Sequence, residues 1–239
     1  MNALTFAVMI VALRGMNSDA LRPAPVTRHE RGAVAAAIRY VGRTPQLAIP
    51  LAMMALVGTL AFNFQTVLPL LAHFTFDGGA DAYAVLLGAM GVGSIIGALA
   101  NGARGRTGPR LLVGAALGFG AFGLLAAAAP TFPIEVAAMV PLGAASITFA
   151  AGVNSQLQLE VDPAMRGRVM ALYMLLVAGS TPIGASLAGF MAEALGVQVT
   201  IGFLAAACLV GVAIGFLYYV THREQIEATA QAATVVATA

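Results

Sequence analysis

The chain has 239 residues, of which 60% are hydrophobic and 9% are charged, and its formal net charge at pH 7 is +2. About a quarter of the residues of a typical soluble domain are charged, so this composition excludes an ordinary soluble protein and predicts several membrane spans. All basic side chains are arginines that flank apolar stretches, so nucleic acid is not expected as a partner.

The first apolar stretch, residues 1–13, is too short to cross a bilayer. As a helix it covers only about 20 Å, against a hydrocarbon core of about 30 Å. It is predicted to be a partial transmembrane helix, the cytoplasmic end of a helix whose beginning is missing. A signal peptide is the alternative, but no basic residue precedes the stretch and Arg14 follows it.

Residues 14–45 are predicted to form a cytoplasmic linker that contains an interfacial amphipathic helix. The segment 14–30 is polar and contains proline, as exposed linkers do. Over 31–43, apolar residues recur at helical spacing on one face and arginines occupy the other, which favours a helix lying on the membrane surface. The apolar residues are Val34, Ile38 and Val41, and the arginines are Arg39 and Arg43. A solvated linker helix is the alternative.

Residues 46–220 are predicted to form a bundle of six transmembrane helices, because six apolar segments reach the length of about 20 residues that a span needs. The predicted spans are 46–72, 81–103, 111–129, 133–154, 169–193 and 198–220. Residues 221–239 are predicted to be a cytoplasmic tail. The predicted fold class is therefore all-α, a polytopic transmembrane helix bundle with six full spans and one partial helix at the N-terminus.

The charges on the predicted connections indicate the orientation of the bundle. The arginines fall on the connections of one side, and the opposite connections carry only acids. These acids are Asp77, Asp81, Glu135 and Glu193. Because positively charged loops stay in the cytoplasm, the linker and the C-terminal tail are predicted to be cytoplasmic.

Small residues recur every four positions in two of the spans, a spacing that allows a neighbouring helix to approach closely. In the second span they are Ala89, Gly93 and Gly97, and in the fifth they are Ser180, Gly184 and Ala188. They are predicted to serve helix packing.

Neutral polar residues lie at depth in several spans. Asn63 and Gln65 carry amides, which need partners in hydrocarbon, so they are expected to face another helix or a watery cavity. Hydrogen bonding between helices and the lining of a substrate cavity are the two roles open to them. No convergent cluster of acids, histidines or cysteines is apparent, so the sequence predicts no enzyme, no cofactor and no metal site.

Two predicted cytoplasmic turns concentrate charge. One holds Arg104, Arg106 and Arg110 among glycines. These arginines are predicted to retain the turn on the cytoplasmic side. In the other, Asp162 precedes a proline and is predicted to cap the fifth span, near Arg166 and Arg168. These six residues are candidates for a gating role.

Several motifs resemble major facilitator superfamily carriers, and more narrowly their enterobactin-exporter-like and multidrug-efflux branch. The second charged turn resembles the signature leading into the eleventh helix of those carriers. The matching runs are 154–158, 162–163 and 166–173, supported by 61–64, 68–71 and 88–97. The match covers the end of helix six and helices seven to twelve, which is the carboxy-terminal half. The turn between the second and third spans departs from the family pattern, because Asn101, Gly102 and Pro109 stand where an acid and more basic residues are common.

The resemblance implies a secondary transporter in a bacterial inner membrane that exports small amphipathic or siderophore-like compounds by alternating access. Its partners would be the lipid bilayer, the substrate, and an amino-terminal six-helix half or a second copy. The candidates for lining the substrate cavity are Asn63, Gln65, Ser146, Thr148 and Tyr173. A non-transporting membrane assembly module, an inactive transporter fragment and a membrane-embedded lipid enzyme are the alternatives.

Overall fold

The structure, a computed structural model, describes residues 8–11, 13–15, 32–105 and 108–221. The chain divides into two compact units, Met1–Ala33 and Val34–Ala239. In the first unit, residues 8–11 and 13–14 are helical. Most of the predicted partial helix and linker, and the predicted tail beyond residue 221, lie outside the described residues.

Helices make up nearly all of the described part of the second unit, and the described residues contain no β-strand. In chain order the elements are α1 (Ala33–Arg43), α2 (Pro45–Leu60), α3 (Phe64–Leu70), a π-helical turn (Leu71–Thr75), α4 (Ala80–Arg104), α5 (Pro109–Ala127), α6 (Phe132–Glu160), α7 (Arg166–Leu195) and α8 (Val197–Thr221). Among the described residues, six helical segments are long and apolar enough to cross a membrane, the first formed jointly by α2, α3 and the π-helical turn. The prediction of an all-α polytopic bundle is thus confirmed.

Helix α6 occupies a central position in the bundle. It packs along α4 and α5 and also contacts α2, while α2 packs on α7 and α8, and α5 packs on α8. Apolar side chains on one face of α6 are fully buried, among them Met139, Phe149, Val153 and Leu157. Spans α4 and α7 are the least buried of the six, and both carry several exposed large apolar side chains.

Helices α4 and α6 approach each other so closely that glycine is required on both. A Cβ added at Gly93 would collide with the backbone of Val140, and one added at Gly143 would collide with the backbone of Met90. The hydroxyl of Ser94 crosses the same contact and donates to the carbonyl oxygen of Gly143 at 3.3 Å. The predicted packing role of the small residues in the second span is confirmed.

The small residues of the fifth span pack in the same way, on α2. Ser180 and Ala188 are buried, and the Ser180 side chain lies against Gly58. Gly184 lies between them and faces the carbonyl oxygen of Thr59. This second predicted ridge is therefore also a helix contact.

The turn between α6 and α7 differs from its prediction. Helix α6 continues to Glu160, beyond the predicted end at residue 154, and α7 begins at Arg166 with Met165 in the capping position. Asp162 does not cap α7, because its Oδ1 accepts a hydrogen bond from the backbone N–H of Ala164 at 2.7 Å. A carboxylate bonded to the backbone two residues ahead forms a local turn, and this turn separates Asp162 from the helix.

Helix α1 is present over the predicted range, and its position on the membrane surface stays a prediction. Ala37 and Val41 pack into the bundle, whereas Val34 and Ile38 are each 56% exposed. The Tyr40 hydroxyl accepts a hydrogen bond from the Asp162 backbone N–H at 3.4 Å. Tertiary packing therefore places one side of the amphipathic helix against the turn before α7.

The connections of the bundle lie at two ends, since successive spans run in opposite directions. We call one the arginine end and the other the acidic end. The arginine end carries Arg43, Arg104, Arg110 and Arg166, and the acidic end carries Asp77, Asp81 and Glu193. This segregation is the charge pattern from which the orientation was predicted.

Gly105 ends α4 in a left-handed conformation, with φ +66°. Because a Cβ atom is disfavoured in that conformation, we expect Gly105→Ala to lower the stability of the bundle by about 1 kcal/mol. Gly102→Ala is the matched control: Gly102 lies inside α4 with open space around it, so alanine should raise stability by about 0.5–1 kcal/mol. Thermal unfolding in detergent measures both, through the dye reactivity of the chain's one cysteine, buried Cys208. A Gly105→Ala variant at least as stable as the wild type would contradict the left-handed cap.

Candidate functional site

The first span is broken near its middle, although the sequence predicts one continuous helix. Helix α2 ends at Leu60 and α3 begins at Phe64, so residues 61–63 interrupt the span. The carbonyl oxygen of Thr59 accepts a hydrogen bond from the side-chain Nδ2 of Asn63 at 2.8 Å. In a regular helix that acceptor would serve the backbone N–H of Asn63. The Asn63 amide therefore competes with the backbone and stabilises the break.

Asn63 is a buried amide with half of its hydrogen-bonding capacity unused. Its side chain is 4% exposed, and its Oδ1 has no hydrogen-bond partner. It lies three residues past the midpoint of the span Pro45–Thr75, which places it about 5 Å from the centre at a helical rise of about 1.5 Å per residue. Leaving a buried acceptor unpaired costs about 1–3 kcal/mol, so this amide needs an explanation beyond packing.

Helix α7 packs against the break. A Cβ added at Gly184 would meet the carbonyl oxygen of Thr59 and the side-chain amide of Asn63. Glycine at this position therefore lets the α7 backbone come up to the break without displacing the Asn63 side chain. The break is held between its own amide and a neighbouring helix.

A partly open cavity of about 50 Å³ lies beside the break, between α2, α3, α5, α6 and α8. Its lining residues are Leu60, Ala61, Asn63, Phe64, Val67, Leu68, Phe119, Gly120, Gly123, Ala126, Met139, Leu142, Ile201, Leu204 and Ala205. Asn63 contributes the polar side chain of this otherwise apolar lining. Such a volume holds a few water molecules, whereas a drug-sized ligand needs a site of about 300 Å³ or more.

Four phenylalanines surround the break. The ring of Phe119 lies 5.3 Å from that of Phe62 and 5.7 Å, edge to face, from that of Phe64. Phe149 of α6 lies 6.3 Å from Phe62. Such tilted and edge-to-face pairs are favourable. Because Phe64 and Phe119 also line the cavity, the cluster forms part of its wall.

The predicted cavity residues separate into two groups. Asn63 lines the cavity, whereas Gln65 is exposed on α3. Ser146, Thr148 and Tyr173 are buried, but they are not among the residues that line this cavity. Asn63 is thus the predicted candidate that the structure brings to the cavity.

The predicted gating candidates lie at the arginine end. Arg104, Arg110, Asp162 and Arg166 are exposed there. Arg168 is partly buried, and its Nη1 lies 3.8 Å from the sulfur of Met165. The remaining candidate, Arg106, lies outside the described residues.

Glu135 was not singled out as a candidate, since the sequence places it on a connection. In the structure it belongs to the first turn of α6 and is 0% exposed, and neither carboxylate oxygen has a hydrogen-bond partner. Helical spacing offered a signal. Glu135 precedes Met139, Leu142 and Ser146 by four, seven and eleven residues, which puts all four on one face of the helix.

One family model matches the chain over residues 1–237, and its description is "Transmembrane secretion effector", MFS_3. No curated protein and no solved structure matches the chain.

Proposed function

Because this chain belongs to the transmembrane secretion effector family of major facilitator superfamily transporters, we propose that it exports small amphipathic or siderophore-like compounds as one six-helix half of a secondary transporter. The finer assignment to an enterobactin-exporter-like branch rests on the sequence motifs described above. The chain is a multi-pass membrane transporter, and export, substrate class and half-carrier architecture are our proposals.

The broken first span carries this proposal. Transporters commonly build their binding sites from discontinuous helices, whose freed polar groups face a cavity instead of lipid. Here the break presents the Asn63 amide to a partly open cavity and leaves its Oδ1 unpaired. A hydroxyl or ammonium group of a substrate, or a water molecule, could supply the missing donor.

The size of the cavity supports pairing with a second six-helix unit. At about 50 Å³ it is too small for the proposed substrates, and in these carriers the binding site forms between two halves near the bilayer midplane. Spans α4 and α7, the least buried of the six, offer the surfaces for such pairing. We propose an amino-terminal six-helix half or a second copy of this chain as the partner, within the lipid bilayer.

We also propose that the arginine end faces the cytoplasm of a bacterial cell and that the protein resides in its inner membrane. Arginines are retained on the cytoplasmic side during insertion, so the linker and the C-terminal tail would lie there. The exposed arginines of the turns after α4 and before α7 support this orientation. They would lie near the anionic lipids of the cytoplasmic leaflet.

We expect Asn63→Leu to reduce transport of ethidium, an amphipathic cation used as the probe, by about tenfold or more, because losing one polar contact to the substrate costs about 1.4 kcal/mol. Flux is measured in proteoliposomes that contain the full chain. Gln158→Leu is the control, since Gln158 is exposed near the end of α6, far along the chain from the break, and does not line the cavity. Its flux should equal that of the wild type.

Two results would count against the proposal. Unchanged flux in Asn63→Leu, at equal amounts of folded protein, would remove Asn63 from the binding site. An absence of ethidium flux in the wild type, alone and with a coexpressed second six-helix half, would overturn export of amphipathic cations and favour the non-transporting module.

A further inference from the structure

Glu135 is a carboxylic acid enclosed within the bundle near its acidic end. Its side chain is 0% exposed, and neither oxygen has a hydrogen-bond partner. It lies eleven residues from the midpoint of α6, or about 16 Å at a rise of about 1.5 Å per residue. Half of a hydrocarbon core is about 15 Å, so with the midpoint of α6 at the bilayer centre the carboxyl group would lie near the boundary between the core and the interface.

The first turn of α6 favours a negative charge modestly through the helix dipole, but no neighbouring side chain among the described residues compensates a charge on Glu135. Of the helices packed against α6, α5 has no titratable side chain near this end, α4 contributes Asp81 and Tyr83, and α7 contributes Glu193. The first span and its following connection add His73 and Asp77. All of these except the partly buried Tyr83 are exposed, and none bonds to Glu135.

Burial therefore decides the protonation state of this group. An ionised carboxylate without a partner costs several kcal/mol to remove from water, and a neutral acid costs far less. The described part of the chain places no arginine at this end, and the one histidine there, His73, is exposed. The packing seen here accommodates Glu135 as the neutral acid.

The position of Glu135 connects its protonation to the cavity. Met139 and Leu142, one and two turns further along the same face of α6, both line the cavity. A movement that separates α6 from its neighbours at the acidic end would expose Glu135 to water together with the cavity. An exposed carboxyl group would then be free to ionise.

We propose that Glu135 is a proton-binding site, at which closing the acidic end takes up one proton per chain. On closing, the carboxylate accepts a proton from water and forms an O–H bond. On opening, this bond breaks and the proton returns to water at the same end. The opening and closing rest on the proposed transporter function and on the alternating access that the family resemblance implies. The proton site makes the equilibrium between the open and closed states of the acidic end depend on pH.

Infrared spectroscopy of the full chain in a maltoside detergent, which contains no ester carbonyl group, tests the proton site directly, because a protonated carboxyl group has a C=O stretching band that a carboxylate lacks. At neutral pH the wild type should show this band and Glu135→Gln should lose it. Glu193→Gln is the matched control, since Glu193 is an exposed acid at the same end, and it should keep the band. Glu135→Asp retains the carboxyl group and should also keep it.

The outcomes separate this inference from the transport proposal. A wild type without the band at neutral pH, or a band that persists in Glu135→Gln, overturns the proton site, whatever the flux measurements give. The wild-type spectrum needs no variant to fold, so it decides the question even if Glu135→Gln does not. A wild type that has the band, lost in Glu135→Gln, but carries no ethidium keeps the proton site and overturns export.

Discussion

Gly93→Leu is expected to lower the stability of the bundle by about 3 kcal/mol or more, the upper range for overpacking a tight contact. A Cβ at this position would lie 2.7 Å from the carbonyl carbon of Val140. Because backbone atoms oppose it, no side-chain rotation can relieve the overlap, and α4 must move away from α6. That movement would also break the hydrogen bond from Ser94 to the carbonyl oxygen of Gly143.

Gly91→Leu provides the control in the same helix. Gly91 is exposed with no neighbouring atom within 4 Å of its added Cβ, so leucine there would extend into lipid at little cost. The two variants are compared by thermal unfolding in detergent with the Cys208 thiol as reporter. Equal melting temperatures would mean that α4 and α6 do not approach each other at Gly93.

Phe149→Ala is the second substitution for which a large loss is expected, about 2–3 kcal/mol. Phe149 is fully buried and lies in the aromatic cluster at the helix break. In a bilayer the transfer of a side chain out of water contributes little to helix association, so the loss is mainly the packing lost to the new cavity. At about 24 cal/mol per Å³ of residual cavity, the volume lost from Phe to Ala gives this magnitude.

Phe190→Ala removes the same side chain from a surface position and serves as its control. Phe190 lies on α7 and is 73% exposed, so its loss should change stability by less than about 0.5 kcal/mol. Unfolding in the same detergent compares the two variants. If Phe149→Ala proves as mild as Phe190→Ala, the cluster contributes no packing energy to the break.

The spans and their close contacts could be predicted from the sequence because they depend on local properties. Apolar length decides whether a helix can cross the bilayer, and small residues every four positions mark where another helix can approach. Gly93 and Gly184 both fulfil that expectation, each facing the backbone of another helix. Neither feature requires knowledge of which helix is the partner.

The break at residues 61–63 could not be predicted in the same way. It depends on a competition between the Asn63 amide and a backbone N–H for one carbonyl group, and on a glycine supplied by a helix about 120 residues later. Apolar composition alone favours a continuous helix there. The selection of Asn63 over Gln65 as the cavity residue follows from this break, which turns one amide inward and leaves the other on the surface.

Glu135 and α1 illustrate a second reason for departures from prediction. An acid close to a turn is normally solvated, so assigning Glu135 to a connection was reasonable until its helical face was considered. In α1 the sequence predicts the apolar face of Val34, Ile38 and Val41, but it does not indicate that Ala37 packs inside the bundle. In both cases neighbouring helices decide which side is covered, and that information is not local.

The break at residues 61–63 divides the first span into two helical segments. The second segment, formed by α3 and the π-helical turn over residues 64–75, is about 18 Å long at a helical rise of about 1.5 Å per residue. A tilt of this second segment by about 10° at the break would move its far end by about 3 Å while α2 remained in place. An uninterrupted helix could reach that displacement only by bending or by moving as a whole, so the break would confine such a movement to the acidic end.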